Sequence, residues 1–422
     1  MRVTGLERKI LVIVGDGMAD RAVPELDGKT PLQAADTPNM DRLAREGSVG
    51  LLDPIRPGVR PGSDTAHLTL LGYDPFEVYP GRGPLEALGA GVEVRPGDVA
   101  FRCNFATAEE RNGELVVVDR RAGRINEDEG TPKLAETINE EVDLPVEFEF
   151  KEAVGHRAVL VLRGGDLSAD VTDADPKRVG KPVKDVKPTS DDPAAARTAE
   201  IVNEFVRKAY EVLKDHPVNR ERERQGKPPA NVILPRGAGQ LEEVEPFSDR
   251  YGMSGAVVAG ASLIKGIGRM LGMDVPEDEA ITGRKDTDLK RKAELALEAL
   301  DDHDLVLVNF NAVDEAGHDG DARGKVEMIE RMDRELVGTL LEGIDPEETV
   351  VCLTADHSTP VAVGDHTADP VPVAIWTADA RRDPVEEYDE ISAARGCLGR
   401  FSGLHLLNVL RDLADRIEKF GA

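Results

Sequence analysis

Three short apolar runs in this chain each lead into residues that a buried strand has no use for. Ile10–Val14 leads to Asp16, Leu305–Phe310 to Asp314, and Val350–Thr354 to Asp356 and His357. A fourth run, Val371–Trp376, has the same character. Continuous β-branched runs of this length are typical of strands covered on both faces. Helical patterns at Thr37–Glu46, Asp288–Leu300 and Lys325–Leu341 separate them. Strand and helix in alternation predict an α/β fold with a mostly parallel sheet flanked by helices. Ligands of such sheets gather at the carboxyl ends of the strands, where these acidic residues would fall.

The middle of the chain reads differently. From about Pro96 to about Pro229 there are short strand candidates, Leu115–Asp119 and Ala158–Leu162, and a helix over Pro193–Leu213. Loops such as Asp173–Asp192 are rich in Pro, Asp and Lys, and the charged segment Arg220–Pro229 reads as a linker before strand character resumes at Asn231–Leu234. With 422 residues, one ordinary core is too small an account. The expectation is a discontinuous catalytic domain, 1–95 and 230–422, interrupted by a smaller α+β domain over 96–229.

Charge narrows the function. There are 81 Asp and Glu against 53 Lys and Arg, a net charge of −28. Such a surface repels nucleic acid and anionic membrane, so neither is expected as a partner. It also repels itself, which suits a salt-rich cytoplasm. Cys103, Cys352 and Cys397 are scattered, without metal-ligand spacing or a disulfide framework, as in a reducing cytosol. Arg2, Arg8 and Lys9 precede an apolar run too short for a signal peptide. No run approaches the about 18 apolar residues of a membrane span. A soluble, cytoplasmic protein is expected.

Ligand-type residues then form a set. Asp314 and His318 are spaced one helical turn apart, Asp356-His357 follows a strand directly, and His366 lies in the next loop. Mixed His and carboxylate donors suit Zn²⁺ or Mn²⁺ better than an all-oxygen cage, and the set is too large for one tetrahedral ion. Asp16, in Gly15-Asp16-Gly17, reads by itself more readily as a turn residue than as a ligand, but at the end of the first strand it lies where the other carboxylates could converge. Ser63, in Pro61-Gly62-Ser63-Asp64-Thr65-Ala66-His67, reads as a helix N-cap. A helix N-terminus also attracts anions, and a metal-bound serine hydroxyl there could attack phosphorus.

Other motifs fail. Gly28-Lys29-Thr30 lacks the first glycine of a phosphate-binding loop, Val23 standing in its place. Gly266-x-Gly268 lacks the third glycine of a dinucleotide fingerprint. The alternating run Arg220–Arg224 reads as a solvated linker rather than an RNA site.

With these residues assembled, the spacing Asp16, Ser63, Asp314-x-x-x-His318, Asp356-His357, His366 resembles the alkaline phosphatase superfamily. Within it, the chain resembles the archaeal-type cofactor-independent (2,3-bisphosphoglycerate-independent) phosphoglycerate mutases. Segments carrying that resemblance include Gly72-Tyr73-Asp74-Pro75, Gly81–Ala87, Phe101–Thr107, Asp119–Ile125 and the stretch around Lys265-Gly266-Ile267. They span nearly the whole chain.

The resemblance implies two divalent ions, with Mn, Zn, Co or Mg all tolerated, and no bisphosphoglycerate requirement. It implies that Asp314, His318 and His366 hold one ion, and Asp16, Ser63, Asp356 and His357 the other. It further implies that Lys265 and some of Arg82, Arg102, Arg120, Arg121, Arg124 and His156 bind the phosphate or carboxylate of phosphoglycerate. The implied reaction interconverts 3-phosphoglycerate and 2-phosphoglycerate through a phosphoserine on Ser63, the inserted domain serving as a lid against water. The alternatives are another phosphatase or phosphotransferase of the same superfamily and a non-enzymatic metal-binding protein.

Overall fold

The computed structural model describes residues 7–421, which form two compact units. Arg2 lies outside the described residues. The first unit takes in the described residues through Tyr79 and those from Val244 onward; the second is Pro80–Glu243.

Numbered along the whole chain, the strands of the first unit are β1 (Lys9–Gly15), β2 (Ser48–Asp53), β8 (Gly255–Val258), β9 (Leu305–Phe310), β10 (Thr349–Thr354), β11 (Val371–Trp376) and β12 (Gly399–Ser402). They form one sheet in the order β12-β2-β11-β10-β1-β9-β8. Strands β10, β1, β9 and β8 run parallel, β12 runs parallel to β2, and only β11 is reversed. The four apolar runs seen in the sequence are thus central strands, and β9, β10 and β11 are buried at every position. The mostly parallel α/β expectation holds, with one antiparallel strand inside the sheet.

Register carries the consequence for the site. Val14 of β1 lies opposite Asn309 of β9 and Thr354 of β10. Three adjacent parallel strands therefore end at one level, and the residues that follow them emerge side by side.

Helices Pro38–Glu46 and Leu289–Asp302 match their sequence patterns. The pattern at Lys325–Leu341 resolves into a helix Ala322–Arg331, a π turn Met332–Val337 and a helix Gly338–Glu342. The buried Asp333 of the π turn accepts backbone N–H bonds from Asn39 at 3.1 Å and Met40 at 2.7 Å. It thereby caps the Pro38–Glu46 helix, whose own Thr37 provides no side-chain cap.

The second unit is antiparallel. Its strands are β3 (Val99–Arg111), β4 (Glu114–Asp119), β5 (Phe148–Glu152), β6 (Arg157–Leu162) and β7 (Val232–Gln240). The long β3 pairs with β4, β6 and β7. Helices Thr131–Glu141 and Pro193–Leu213 pack on this sheet, and Phe105, Phe150 and Phe205 stack edge to face or tilted in its core.

The unit reaches beyond 96–229 at both ends. The helix Arg82–Gly89 packs against β3 and β7, and the Pro80 carbonyl accepts from Gln240 N–H at 2.9 Å. Flanking segments with no strong pattern of their own are therefore tied to this sheet.

The segment Arg220–Pro229 is not a solvated linker. A helix covers Pro217–Arg224, with Asn219 fully buried and Arg222 4% exposed. The Arg222 guanidinium bonds Pro228 O at 3.0 Å, Glu129 at 2.9 Å and Ala122 O at 2.8 Å. Alternating Arg and Glu look solvent-facing, but a spacing of three places Asn219 and Arg222 on one inner helical face.

Candidate metal and phosphoryl-transfer site

The turn after β1 sets the first carboxylate. Gly17 has φ 62°, and a Cβ there would lie 2.5 Å from Asp314 Oδ1. Only glycine fits such a close approach at positive φ. Asp16 is 1% exposed, and its Oδ2 accepts from Asn311 Nδ2 at 2.8 Å, which aims Oδ1 inward.

Asp356 and His357 follow β10 and are fully buried. Asp356 Oδ1 accepts from the backbone N–H groups of Gly17 at 3.0 Å and His357 at 2.9 Å. Its Oδ2 and Asp16 Oδ1 are both buried without a hydrogen-bond partner. These two orphaned oxygens face one ring nitrogen, His357 Nε2, at 3.2 Å and 3.4 Å. Ser63 Oγ lies 3.1 Å from the same nitrogen. Four donor atoms thus surround one point.

Ser63 is not the helix cap. The cap is Gly62, and Ser63 is the first residue of the helix Ser63–Leu70. Thr65 Oγ1 accepts the Gly62 N–H at 3.0 Å, so the Ser63 hydroxyl is released from capping and faces the cluster. The helix N-terminus supplies a positive dipole end beside it.

A second group adjoins the first. Asp314 and His318, on the helix Ala312–His318, meet His366 from the loop after β10. His318 Nε2 lies 3.2 Å from His366 Nε2 and 3.3 Å from Asp314 Oδ2, and His366 Nε2 lies 3.7 Å from Asp314 Oδ1. The His357 and His366 rings stack with centroids 3.6 Å apart. Thr359 joins the groups: its hydroxyl donates to Asp314 Oδ1 at 2.6 Å and accepts from His357 Nδ1 at 3.0 Å.

Every histidine of the set is oriented alike. His318 Nδ1 donates to Gly364 O and His366 Nδ1 to Pro61 O, both at 2.9 Å. With Nδ1 engaged by an acceptor, each Nε2 is the ring nitrogen turned to the centre, where it would offer its lone pair to a bound cation, as metal-binding imidazoles do.

The electrostatics ask for cations. Burial, then the charges of Asp356 and Asp314, pushes Asp16 well above the usual carboxylate range. Burial likewise pushes Asp356 up to about 7, and burial depresses His357 well below an ordinary histidine. Asp314 is raised by burial but held low overall by hydrogen bonds from His318 and Thr359. The bond to Asp314 raises His318 to about 9. Two buried carboxylates with orphaned oxygens fit a divalent ion, and the donor set of each group suits Mn²⁺, Zn²⁺, Co²⁺ or Mg²⁺.

The basic residues divide between the units. Lys265 lies on the helix Ser262–Met270, which packs on the Ser63–Leu70 helix, and its Nζ is 3.5 Å from Glu277. In the second unit, Arg120 grips the fully buried Asp175 with two bonds of 3.0 Å and 2.5 Å. Burial, then Arg82 and Arg236, lowers Arg102 to about 10. Burial, then Arg157, Arg121 and Arg236, lowers His156 to about 4. Arg82, Arg102, Arg121 and His156 therefore belong to one concentration of positive charge. Arg124 is exposed in the turn Ala122–Arg124.

Sequence reasoning passed over Arg157 and Arg236. The Nε of Arg236 is buried without a hydrogen-bond partner. Its signal was an arginine beside Gly237-Ala238-Gly239 in a strand of an acidic chain. Asn309, Asn311 and Thr359 were also missed, because uncharged polar residues near strand ends carry no spacing signature, and His67, although part of the Ser63 motif, was given no role.

Comparison with known proteins agrees with the geometry. A family model described as 2,3-bisphosphoglycerate-independent phosphoglycerate mutase matches residues 44–219. The chain is 53% identical over 417 residues to a Methanosphaera stadtmanae protein of that name, covering 98% of this chain and 100% of the relative. An Archaeoglobus fulgidus protein, named 2,3-bisphosphoglycerate-independent phosphoglycerate mutase 1, is 52% identical over 415 residues, with coverage of 98% and 100%. Among solved structures, a cofactor-independent phosphoglycerate mutase from Thermoplasma acidophilum aligns with TM-score 0.71 and 40% identity, over 96% of this chain and 100% of that one.

Proposed function

The chain belongs to the 2,3-bisphosphoglycerate-independent phosphoglycerate mutases, and from that premise we propose that it interconverts 3-phosphoglycerate and 2-phosphoglycerate by way of Ser63. The observation that carries this reading is the convergence of Ser63 Oγ with the orphaned oxygens of Asp16 and Asp356 at one buried point.

In this reading Asp16, Ser63, Asp356 and His357 hold one divalent ion, and Asp314, His318 and His366 hold a second. When bound, the ions lower the pKa of the Ser63 hydroxyl and neutralise charge on the phosphoryl group. Ser63 Oγ attacks phosphorus, the bond to the substrate oxygen breaks, and glycerate is left beside a phosphoserine. The glycerate turns, its other hydroxyl attacks the same phosphorus, and Ser63 is regenerated. No external bisphosphoglycerate enters this balance.

Glycerate must stay bound through that turn, since its loss would leave the phosphoserine to water. Lys265, with Arg82, Arg102, Arg120, Arg121, Arg124 and His156, is assigned to binding the substrate's carboxylate and phosphate. The charge concentration around Arg102 supports including Arg157 and Arg236 in that group.

The test is an assay of 3-phosphoglycerate with Mn²⁺, with and without added bisphosphoglycerate. The expected product is 2-phosphoglycerate at equal rates in both. Inorganic phosphate without 2-phosphoglycerate would instead identify a phosphatase.

A further inference from the structure

One buried histidine beside the cluster has no part in the scheme above. His67 is fully buried on the helix Ser63–Leu70. Its Nδ1 lies 2.7 Å from the carbonyl oxygen of Ser63, and its Nε2 lies 3.1 Å from Asn309 Nδ2. A carbonyl only accepts and an amide nitrogen only donates, so the ring carries its proton on Nδ1 and accepts at Nε2. The same Asn309 nitrogen lies 3.4 Å from Asp16 Oδ2. The backbone carbonyl of Asn309 accepts in turn from the buried Lys292 Nζ at 2.9 Å. A continuous buried path therefore runs from the end of β9 to the backbone of Ser63.

Any buried imidazole needs partners, but these two tie the ring to the backbone of Ser63 and to an Asn309 nitrogen that also approaches Asp16. We propose that His67 is a positioning residue for phosphoryl transfer: through its Nδ1 it holds the Ser63 backbone, and Asn309 fixes the ring in the tautomer that can do so. The inference rests on the assignment of Ser63 as nucleophile. Its physical basis is that Ser63 opens its helix, where chain ends fray, while its hydroxyl must stay aligned with the cluster. A misplacement of about 1 Å at a reacting atom can cost about 10²-fold in rate. His67 touches no reacting atom: its Nδ1 lies 3.5 Å from Asp356 Oδ2, too long for a good hydrogen bond, so its bonded route to the site is the 2.7 Å contact with Ser63.

The two ring bonds can be separated by substitution. In His67→Asn the amide nitrogen sits near the former Nδ1 and keeps a donor for the Ser63 carbonyl. In His67→Gln the amide reaches the former Nε2 position and leaves that carbonyl without its side-chain partner. The expected result is a kcat about 10²-fold lower in His67→Gln, with KM for 3-phosphoglycerate unchanged. Calorimetric Mn²⁺ affinity should also be unchanged. His67→Asn should restore kcat to within about tenfold of wild type. A folded His67→Gln enzyme with wild-type kcat would overturn the proposal. So would a His67→Asn enzyme as slow as His67→Gln, or loss of Mn²⁺ affinity in step with kcat. Wild-type protein that formed no 2-phosphoglycerate would instead remove the nucleophile assignment on which the proposal stands.

Discussion

Ser63 Oγ and His357 Nε2 lie 3.1 Å apart although their residues come from different elements, the first turn of a helix and the loop after β10. This contact brings the hydroxyl to the orphaned carboxylate oxygens. Replacing Ser63 by Ala should lower mutase kcat by at least about 10³-fold, since the other hydroxyl in the cluster, Thr359, is already engaged by Asp314 and His357. Mn²⁺ binding, measured by calorimetry, should largely survive because the remaining six ligands are untouched. Normal turnover in Ser63→Ala would refute the nucleophile assignment.

Metal removal should couple to pH. Burial holds Asp356 near 7 in the metal-free fold and Asp16 well above the usual range, against about 3.9 when unfolded. Between those values the folded state binds more protons than the unfolded one, so metal-free stability falls as pH rises from about 4 to about 7. Tm of the chelated protein should be lower at pH 8 than at pH 5.5, and Mn²⁺ should raise Tm more at the higher pH. A metal-induced Tm increase independent of pH would contradict this account.

Lys265 and Arg121 are assigned to substrate rather than metal. Lys265→Ala and Arg121→Ala should each raise KM for 3-phosphoglycerate by about tenfold or more, the worth of a charge-assisted contact. Metal content, read by elemental analysis, should match wild type. Loss of metal in either variant would place that residue among the ligands.

Arg222 tests the helix that sequence reading took for a linker. Its guanidinium is buried and bonds two backbone carbonyls and Glu129. Arg222→Ala removes three bonds at once, leaving Glu129 with Lys227 alone and the Pro228 and Ala122 carbonyls without their guanidinium donor. The expected cost is about 3 kcal/mol in the second unit, visible as loss of hydrogen-exchange protection over β3 and β7. Unchanged protection would mean that the guanidinium contributes little.

Lys292 is fully buried against Asn309 O, and burial, then the charges of Arg331 and Lys265, lowers its pKa to about 7. Unfolded lysine titrates near about 10.4, so between these values the unfolded state holds the extra proton. Wild-type stability should therefore rise relative to Lys292→Met as pH increases from about 7 to about 10. Denaturant midpoints for both proteins across that range would measure the difference; parallel curves would count against it.

Much of the candidate site was legible because it is built from residues that are costly to bury. Asp16, Asp314, Asp356 and His357 each follow an apolar strand, and few structural reasons place charge there. The boundaries of the second unit were less legible. The helix Arg82–Gly89 and the end of β7 belong to it through packing on β3, which leaves no periodic trace. Arg222 was misread for the converse reason, its burial being paid for by acceptors distant in sequence.

The sequence by itself determined the strand-forming segments, the donor residues at their ends and the family, because side-chain period and residue type are local properties. Only the tertiary structure decided that β9, β1 and β10 lie adjacent and end in register. It also decided that Ser63 opens its helix instead of capping it, and that His67, Asn309 and Thr359 lie within hydrogen-bond distance of the cluster. Those outcomes depend on pairing between strands hundreds of positions apart and on side-chain hydrogen bonds, some of them local, whose partners are settled only once the backbone is in place.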